Sequence, residues 1–296
     1  MIDNLILGAD IGGSHITTGV INPKLNCLVS DSIYRLPIDS KSNAENILDL
    51  WSEAIHVQLV KYSQIDQIAL AMPGPFDYQK GVSLIQDQGK YLSLYGMNIK
   101  QYLAKRLGLN PENIVFVNDA VSFLSGEIYA GKAKSGKSII ALTLGTGLGA
   151  AAHENGQTRD IALWQESFRG FKAEHFFSTR WFIERFNQIT GGKVDHVKAL
   201  LEVKDQQVCI DIFEEFADNL CEFLTGWIGD SEFDSLVLGG NISKSSNLFL
   251  PKLEQGLRQN GVHLDTWVSD LGEEALLIGA VYNGIISKES KELKND

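Results

Sequence analysis

The sequence predicts an α/β protein of two domains, built as duplicated halves around a cleft, and three observations carry that expectation. A chain of 296 residues with 44% hydrophobic content can bury a substantial core and is more comfortable as two domains than as one. Short β-branched runs broken by a glycine turn open the chain, and the same order of events recurs from Ile114 onward. Stretches of helical periodicity lie between the strand-like runs.

Taken in order, the runs at 5–10, 16–22 and 27–36 read as an antiparallel meander whose first two strands flank a glycine turn. Ser42 and Glu45 are spaced as a capping box for a helix that sets Ile47, Trp51, Ile55, Leu59 and Tyr62 on one face. A buried strand, QIALAMPG at 67–74, follows. In the second half IVFVNDA (114–120) leads into a helix-like segment, the strand SIIALTLG (138–145), a glycine-rich turn and AAHENG (151–156). Helical patterns fill much of 172–227, with Ile212, Phe216, Leu220, Phe223 and Trp227 on one stripe, before a strand at 235–240 and a closing helix at 273–286. The charged tail from Lys288 is expected to fray. No Ser/Pro/Gly linker separates the halves, so a hinge is placed near 118–122 and again near the final helix. The expected division is a smaller domain of 1–119 with 277–296 and a larger one of 120–276.

Composition excludes several classes of function. A net charge of -11 disfavours a phosphate-backbone footprint, so no nucleic-acid partner is expected and a small ligand fits better. The start MIDNLILGAD lacks a secretion signal and no apolar stretch approaches bilayer length, which gives a cytoplasmic protein with no membrane partner as the expectation. Cys27, Cys209 and Cys221 have no C-x-x-C spacing and read as buried free thiols.

Chemistry concentrates at the glycine turns. In the first, Asp10 ends a strand and Gly12-Gly13 let backbone N–H groups approach an anion closely, although a plain hairpin turn uses the same residues. A carboxylate beside a phosphate pocket is useful chiefly for holding Mg²⁺ or its waters. The second turn, Gly145-Thr146-Gly147-Leu148-Gly149, again lies between two strands and adds a hydroxyl donor. Residues 131–138 satisfy the Walker A pattern letter for letter, but a Walker A loop joins strand to helix and this stretch joins helix to strand. It is read as a basic turn. Asn118-Asp119 has two open readings: a helix N-cap or Asx turn, or a carboxylate delivered to the carboxyl end of a strand, where open α/β sheets bind ligands.

This set of motifs resembles the ROK family of bacterial sugar kinases and sugar-responsive repressors, a branch of the actin and hexokinase superfamily. The likeness rests on DIGGSH (10–15), PGPFD (73–77), NDA (118–120), LGTGLGA (144–150) and LGGNIS (238–243) and spans nearly the whole chain. It implies the two-domain actin-like ATPase, ribonuclease H-like architecture, with ATP and Mg²⁺ at the base of the cleft and a hexose or aminohexose beside Asp119. By the same likeness Asp119 is the general base of phosphoryl transfer, and Asn118, Gly74 and Glu174 face the sugar; Lys90 joins them as a departure from the family's segment there. Asp10 holds Mg²⁺ through water, Gly12, Gly13, Ser14, His15, Gly145, Thr146 and Gly147 serve the phosphates, and Gly239, Gly240 and Asn241 lie near the adenosine. A homodimer or homotetramer is the implied assembly.

Departures from the family pattern carry their own expectations. The cysteine-rich zinc motif is missing, so no zinc is expected, and the Glu-x-Gly-His turn has no clear counterpart among Asp160, Trp164 and Gln165. His153 and His175 lack partners at ligand spacing and read as surface or core-edge histidines. His15 stands where the family usually has Lys, removing a permanent positive charge from the first turn. In GKYLSLYGMNI (89–99), Lys90 reads as an uncompensated ammonium suited to an acidic or phosphorylated sugar, near Tyr91 and Tyr95. Two alternatives stand beside the kinase: a non-catalytic sugar-binding regulator, for which no DNA-binding head is expected ahead of Leu5, and an actin-like ATPase without a sugar site.

Overall fold

The structure, a computed structural model, describes residues 4–86, 89–133, 138–229 and 233–286. The tail from Lys288 and positions 134–137 of the Walker-like stretch lie outside the described residues. Among the described residues no helix is long and apolar enough to cross a membrane. The chain divides into two compact units, residues up to 134 with those from 271 onward, and residues 135–270.

The first unit opens with β1 (Ile6–Ile11) and β2 (His15–Asn22), which pair antiparallel. The third strand of the expected meander is split into β3 (Cys27–Leu28) and β4 (Tyr34–Pro37), both on β2. The split falls where Ser32 Oγ accepts a hydrogen bond from the Val20 N–H at 3.0 Å, so a side chain replaces the ladder partner there. Helix α1 (Ala44–Lys61) is capped by Asn43, whose side chain accepts from the Asn46 N–H, so the cap is not the expected Ser42 but its neighbour. Ser42 Oγ instead accepts from Asn46 Nδ2. Next come β5 (Ile68–Met72), a hairpin of β6 (Phe76–Asp77) and β7 (Val82–Ser83), helix α2 (Ile99–Leu107), β8 (Ile114–Asn118) and helix α3 (Asp119–Tyr129). The sheet order is β3-β2-β1-β5-β8, with β1, β5 and β8 parallel.

Residue size sorts the two faces of this sheet. Leu7, Ala9, Ile11, Ile68, Leu70 and Met72 join Trp51 and the other buried residues of α1 and α2 in one core. Ile6, Ala69 and Ala71 point to the opposite face, where they pack on the C-terminal helix Glu273–Val281. Small residues let that helix sit close: a Cβ on Gly8 would fall 2.6 Å from the Leu277 carbonyl oxygen. Helix α3 crosses the same C-terminal helix through two glycines. A Cβ on Gly126 would lie 2.0 Å from the Ala275 carbonyl oxygen, and one on Gly279 would lie 1.7 Å from that of Ser122. This crossing assigns α3 and residues from 271 onward to the first unit, so its boundaries are 134/135 and 270/271 and not the expected 119/120 and 276/277. No unit boundary falls at 118–122.

The second unit repeats the plan with β9 (Ile139–Leu144), β10 (Leu148–Glu154) and β11 (Gln157–Asp160), antiparallel neighbours in that order. Asn155 and Gly156 both take positive φ in the β10–β11 connection, the backbone that a two-residue hairpin turn demands. A hairpin of β12 (Ser167–Phe168) and β13 (Phe171–Lys172) precedes helices α4 (Thr179–Thr190), α5 (Val197–Leu200) and α6 (Gln206–Ile228). Strand β14 (Ser235–Gly239), helix α7 (Leu250–Gln259) and β15 (Asp265–Val268) complete the unit. The order β11-β10-β9-β14-β15, with β9, β14 and β15 parallel, matches the first sheet: a hairpin with a third strand outside it, then two parallel strands. Ile212, Phe216, Leu220 and Phe223 of α6 are buried as the stripe predicts, among Phe177, Phe182, Phe213 and Phe249, while Trp227 is partly buried and stacks on Phe233. Cys209 and Cys221 are buried, but Cys27 is exposed because the two-residue β3 sits at the sheet's outer edge.

Candidate active site

In the first sheet the parallel register aligns Asp10 with Ala71 and Met72 with Asn118, so β1, β5 and β8 end on one edge. That edge delivers the turn at 12–14, Gly74 and Asn118-Asp119 together, all within the first unit. Asn118 is the N-cap of α3. Its Oδ1 accepts from the Val121 N–H at 3.0 Å, and its Nδ2 donates to the Tyr78 hydroxyl at 3.1 Å. Tyr78 in turn donates to the Met72 carbonyl at 3.0 Å. A Cβ on Gly74 would stand 3.2 Å from the Tyr78 hydroxyl oxygen, so glycine admits this arrangement. With capping assigned to Asn118, Asp119 uses one oxygen, Oδ1, to accept from the Ala120 N–H at 2.8 Å and remains half-buried.

Asp10 is 7% exposed, and its pKa is pushed up to about 7. Burial is the main cause, reinforced by the charges of Asp119 and Glu273 and opposed by those of Arg35 and Lys90. Lys90 is thus close enough for its positive charge to be felt at Asp10. The turn after β1 is tight: the Gly12 N–H donates to the His15 carbonyl at 3.0 Å, and the hydroxyl of the buried Tyr91 donates to the Gly12 carbonyl. Tyr91 packs edge-on against Trp51 at 5.3 Å, and burial raises its pKa. Aromatic packing therefore props the turn from beneath, while a Cβ on Gly13 would meet nothing within 4 Å. His15 lies against Gly12 and is contacted by Ser14 and Arg35, with Glu273 beside them.

Among the described residues no three His, Cys, Asp or Glu side chains converge to hold a metal ion. For Mg²⁺ the donor chemistry still fits at Asp10, because a buried carboxylate repelled by two other acids favours a hard cation that keeps most of its own water. His153 bonds the Thr158 hydroxyl at 2.8 Å, and burial lowers its pKa; His175 stacks on Phe171.

In the second unit the turn after β9 is anchored from α4. The Gly145 carbonyl accepts from both the Thr179 N–H at 2.7 Å and the Thr179 hydroxyl at 3.0 Å. Glu174 closes the far side: its Oε2 accepts from the Leu148 N–H at 3.2 Å and occupies the space 2.5 Å from where a Gly147 Cβ would be. Thr146 is exposed at the tip. Gly239 pairs with Thr143, and Gly240, at φ +85°, lies so close that its Cβ would fall 2.3 Å from the Leu144 carbonyl oxygen. The segment at 239–241 and the turn at 145–147 therefore emerge side by side. Asn241 Oδ1 accepts from Lys244 Nζ at 2.9 Å. Around the unmatched Glu-x-Gly-His position, Trp164 carries Lys172 over its ring and Asp160 accepts from the Ala162 N–H.

Residues 6–160, just over half of the 296, match the family model described as the ROK family. The chain belongs to the ROK family. Over 301 residues this ROK protein is 28% identical to the beta-glucoside kinase of Klebsiella pneumoniae, a match covering 94% of this chain and 95% of that protein. It is similar in structure to the ROK hexokinase from Thermus thermophilus, with TM-score 0.78 and 20% identity over 97% of this chain and 99% of the other. A ROK family glucokinase from Streptomyces griseus, solved in complex with glucose and AMPPNP, gives TM-score 0.74 and 22% identity over 93% and 97%. The fold is the α/β, actin-like ATPase fold of the ROK sugar kinases. Side chains that escaped the sequence reading include Tyr78, bonded to Asn118, and Arg35 and Glu273, beside His15 at the first turn. Only strand register could have found Arg35, since Asp10, Thr17 and Arg35 form one cross-strand row over β1, β2 and β4.

Proposed function

We propose that this ROK protein is a sugar kinase that transfers the terminal phosphoryl group of ATP to a hydroxyl of a hexose, an amino sugar or a glucoside. The observation that carries the reading is the division of labour at the start of α3: Asn118 caps the helix, so the adjacent carboxylate of Asp119 is presented at the sheet edge beside Asp10. Asp119 accepts the proton of the sugar hydroxyl as that oxygen attacks the γ-phosphorus, the bond to the β-phosphate oxygen of ADP breaks, and the proton passes on to solvent. Such transfer needs positioning and neutralised charge more than covalent help, which suits a site made of turns and carboxylates. The turns at Gly12–His15 and at Gly145–Gly147 are assigned to the phosphates, and Gly239, Gly240 and Asn241 to the adenosine end. Mg²⁺ would screen the phosphate charge when bound, with Asp10 as its water-mediated anchor. Asn118 is a positioning residue that aims Asp119, and Glu174 braces the Leu148 amide while its other oxygen serves the sugar.

The supporting comparisons are the kinase names of the relatives and the glucose and AMPPNP complex of a similar ROK fold. The test is ADP release coupled to a panel of hexoses, aminohexoses and β-glucosides, with wild type and Asp119→Asn side by side. Loss of the base lowers kcat by about 10²–10⁴-fold with the melting temperature nearly unchanged. Equal turnover by the two proteins would remove Asp119 from the mechanism.

A further inference from the structure

The permanent positive charge at the first glycine turn comes from the neighbouring strand and not from the turn itself. Arg35 on β4 faces Thr17 on β2, two residues along from the His15–Pro37 pair, so Arg35 and His15 are diagonal neighbours on one face of the sheet. Its Nη2 lies 2.8 Å from His15 Nε2, and its Nη1 donates to Glu273 Oε2 at 3.2 Å. Ser14 Oγ stands 3.1 Å from His15 Nδ1. The same Nη2 also stands 3.0 Å from His15 Nδ1, so the guanidinium nitrogen is within reach of both ring nitrogens and donates to whichever of them carries no proton in a neutral imidazole. Burial and the adjacent guanidinium both lower the pKa of His15, in keeping with that neutral form. The histidine is therefore a tether, not a source of charge.

The tether matters because a guanidinium has five donors in a planar fork, and these two contacts leave others to spare. The Arg35 side chain is 51% exposed, and the space beside Gly13 is open. We propose that Arg35 is the phosphate-recognising cation of the first turn, held in place by His15 and Glu273 so that its remaining N–H groups bind a phosphate oxygen of the nucleotide. This inference rests on the kinase reading of the same site. It accounts for how a turn with a neutral histidine can attract a polyanion despite Asp10, Asp119 and Glu273 nearby.

The experiment compares wild type, Arg35→Met, and Arg35→Met combined with His15→Lys, which returns a positive charge to the turn from β2. Calorimetric titration with Mg-AMPPNP is read beside the KM values for ATP and sugar, and thermal melts check folding. Arg35→Met is expected to weaken nucleotide binding by about 10–100-fold, as loss of a charge-assisted contact does, with sugar KM changed less than about twofold. The double variant is expected to recover most of that loss, which a purely structural Arg35–Glu273 ion pair cannot explain. Unchanged AMPPNP affinity in folded Arg35→Met, or a folded double variant no better than the single one, would overturn the proposal. Wild type that binds AMPPNP but phosphorylates no sugar defeats the kinase reading alone, because the titration still reports on Arg35. Wild type that binds no nucleotide defeats both.

Discussion

Around the turn after β1 stand Asp10, His15, Arg35, Lys90 and Glu273, all ionisable, whereas the turn after β9 is held by backbone-directed contacts from Thr179 and Glu174. Both turns lie between the first two strands of sheets with the same order, so chain trace alone does not decide what a turn can do. The first unit gathers charges of both signs at its turn, with burial and the neighbouring acids pushing the Asp10 pKa up to about 7. The second shapes a cradle of amides with its anchors already satisfied. One scaffold, used twice, thus surrounds one turn with charged side chains and ties the other through its backbone.

The sharpest way to break this comparison is at the helix crossing that belongs to the first unit only. Gly279→Ala drives a Cβ against the Ser122 carbonyl, backbone on backbone, where no side chain can yield. The expected loss is upward of about 5 kcal/mol, read by chemical denaturation. Hydrogen exchange should show β1, β5 and β8 losing protection while β9 and β14 keep theirs. Equal loss in both sheets would show that the units do not unfold separately.

A second test uses pH. Folded Asp10 keeps its proton up to about pH 7, while in the unfolded chain an aspartate releases it near pH 4, so between these values the folded state binds more protons. Stability should therefore fall as pH rises through that window, by on the order of 4 kcal/mol in total for this group, and level off above it. Asp10→Asn is expected to remove that slope and to be more stable than wild type at pH 8 in metal-free buffer, with the two proteins converging below about pH 4. A variant less stable than wild type at pH 8 would contradict the strained carboxylate.

The smallest effect sharpens the second turn. Glu174→Ala leaves the Leu148 N–H without its acceptor and should lower stability by about 1–2 kcal/mol, while Glu174→Gln, which keeps a carbonyl oxygen in place, should lose less than half of that. Thermal melts of the pair distinguish a backbone brace from a generic surface glutamate.

Much of this was legible beforehand because strands and turns are written in local pattern. LILGAD and SIIALTLG alternate or run apolar, glycines mark the bends, and the α6 stripe recurs at helical spacing. What escaped depended on contacts between residues far apart in sequence. Arg35 reaches His15 only through strand register, and Glu273 reaches Arg35 from across 238 residues. The unit boundary was missed because Gly126 and Gly279 are each ordinary helix glycines until the two helices are laid together. The family motifs identified the turns, yet said nothing of Tyr78 locking Asn118 or of Tyr91 bracing Gly12.

The discontinuity of the first unit has a consequence for how the protein is made. Residues 135–270 form a contiguous stretch, whereas the N-terminal sheet needs the helix 273–281 to cover Gly8, Ala69 and Ala71. Vectorial synthesis generally lets the earlier domain mature first. On the ribosome this chain must reverse that order: the later unit can close while the earlier one waits, one apolar face bare, for a segment not yet translated.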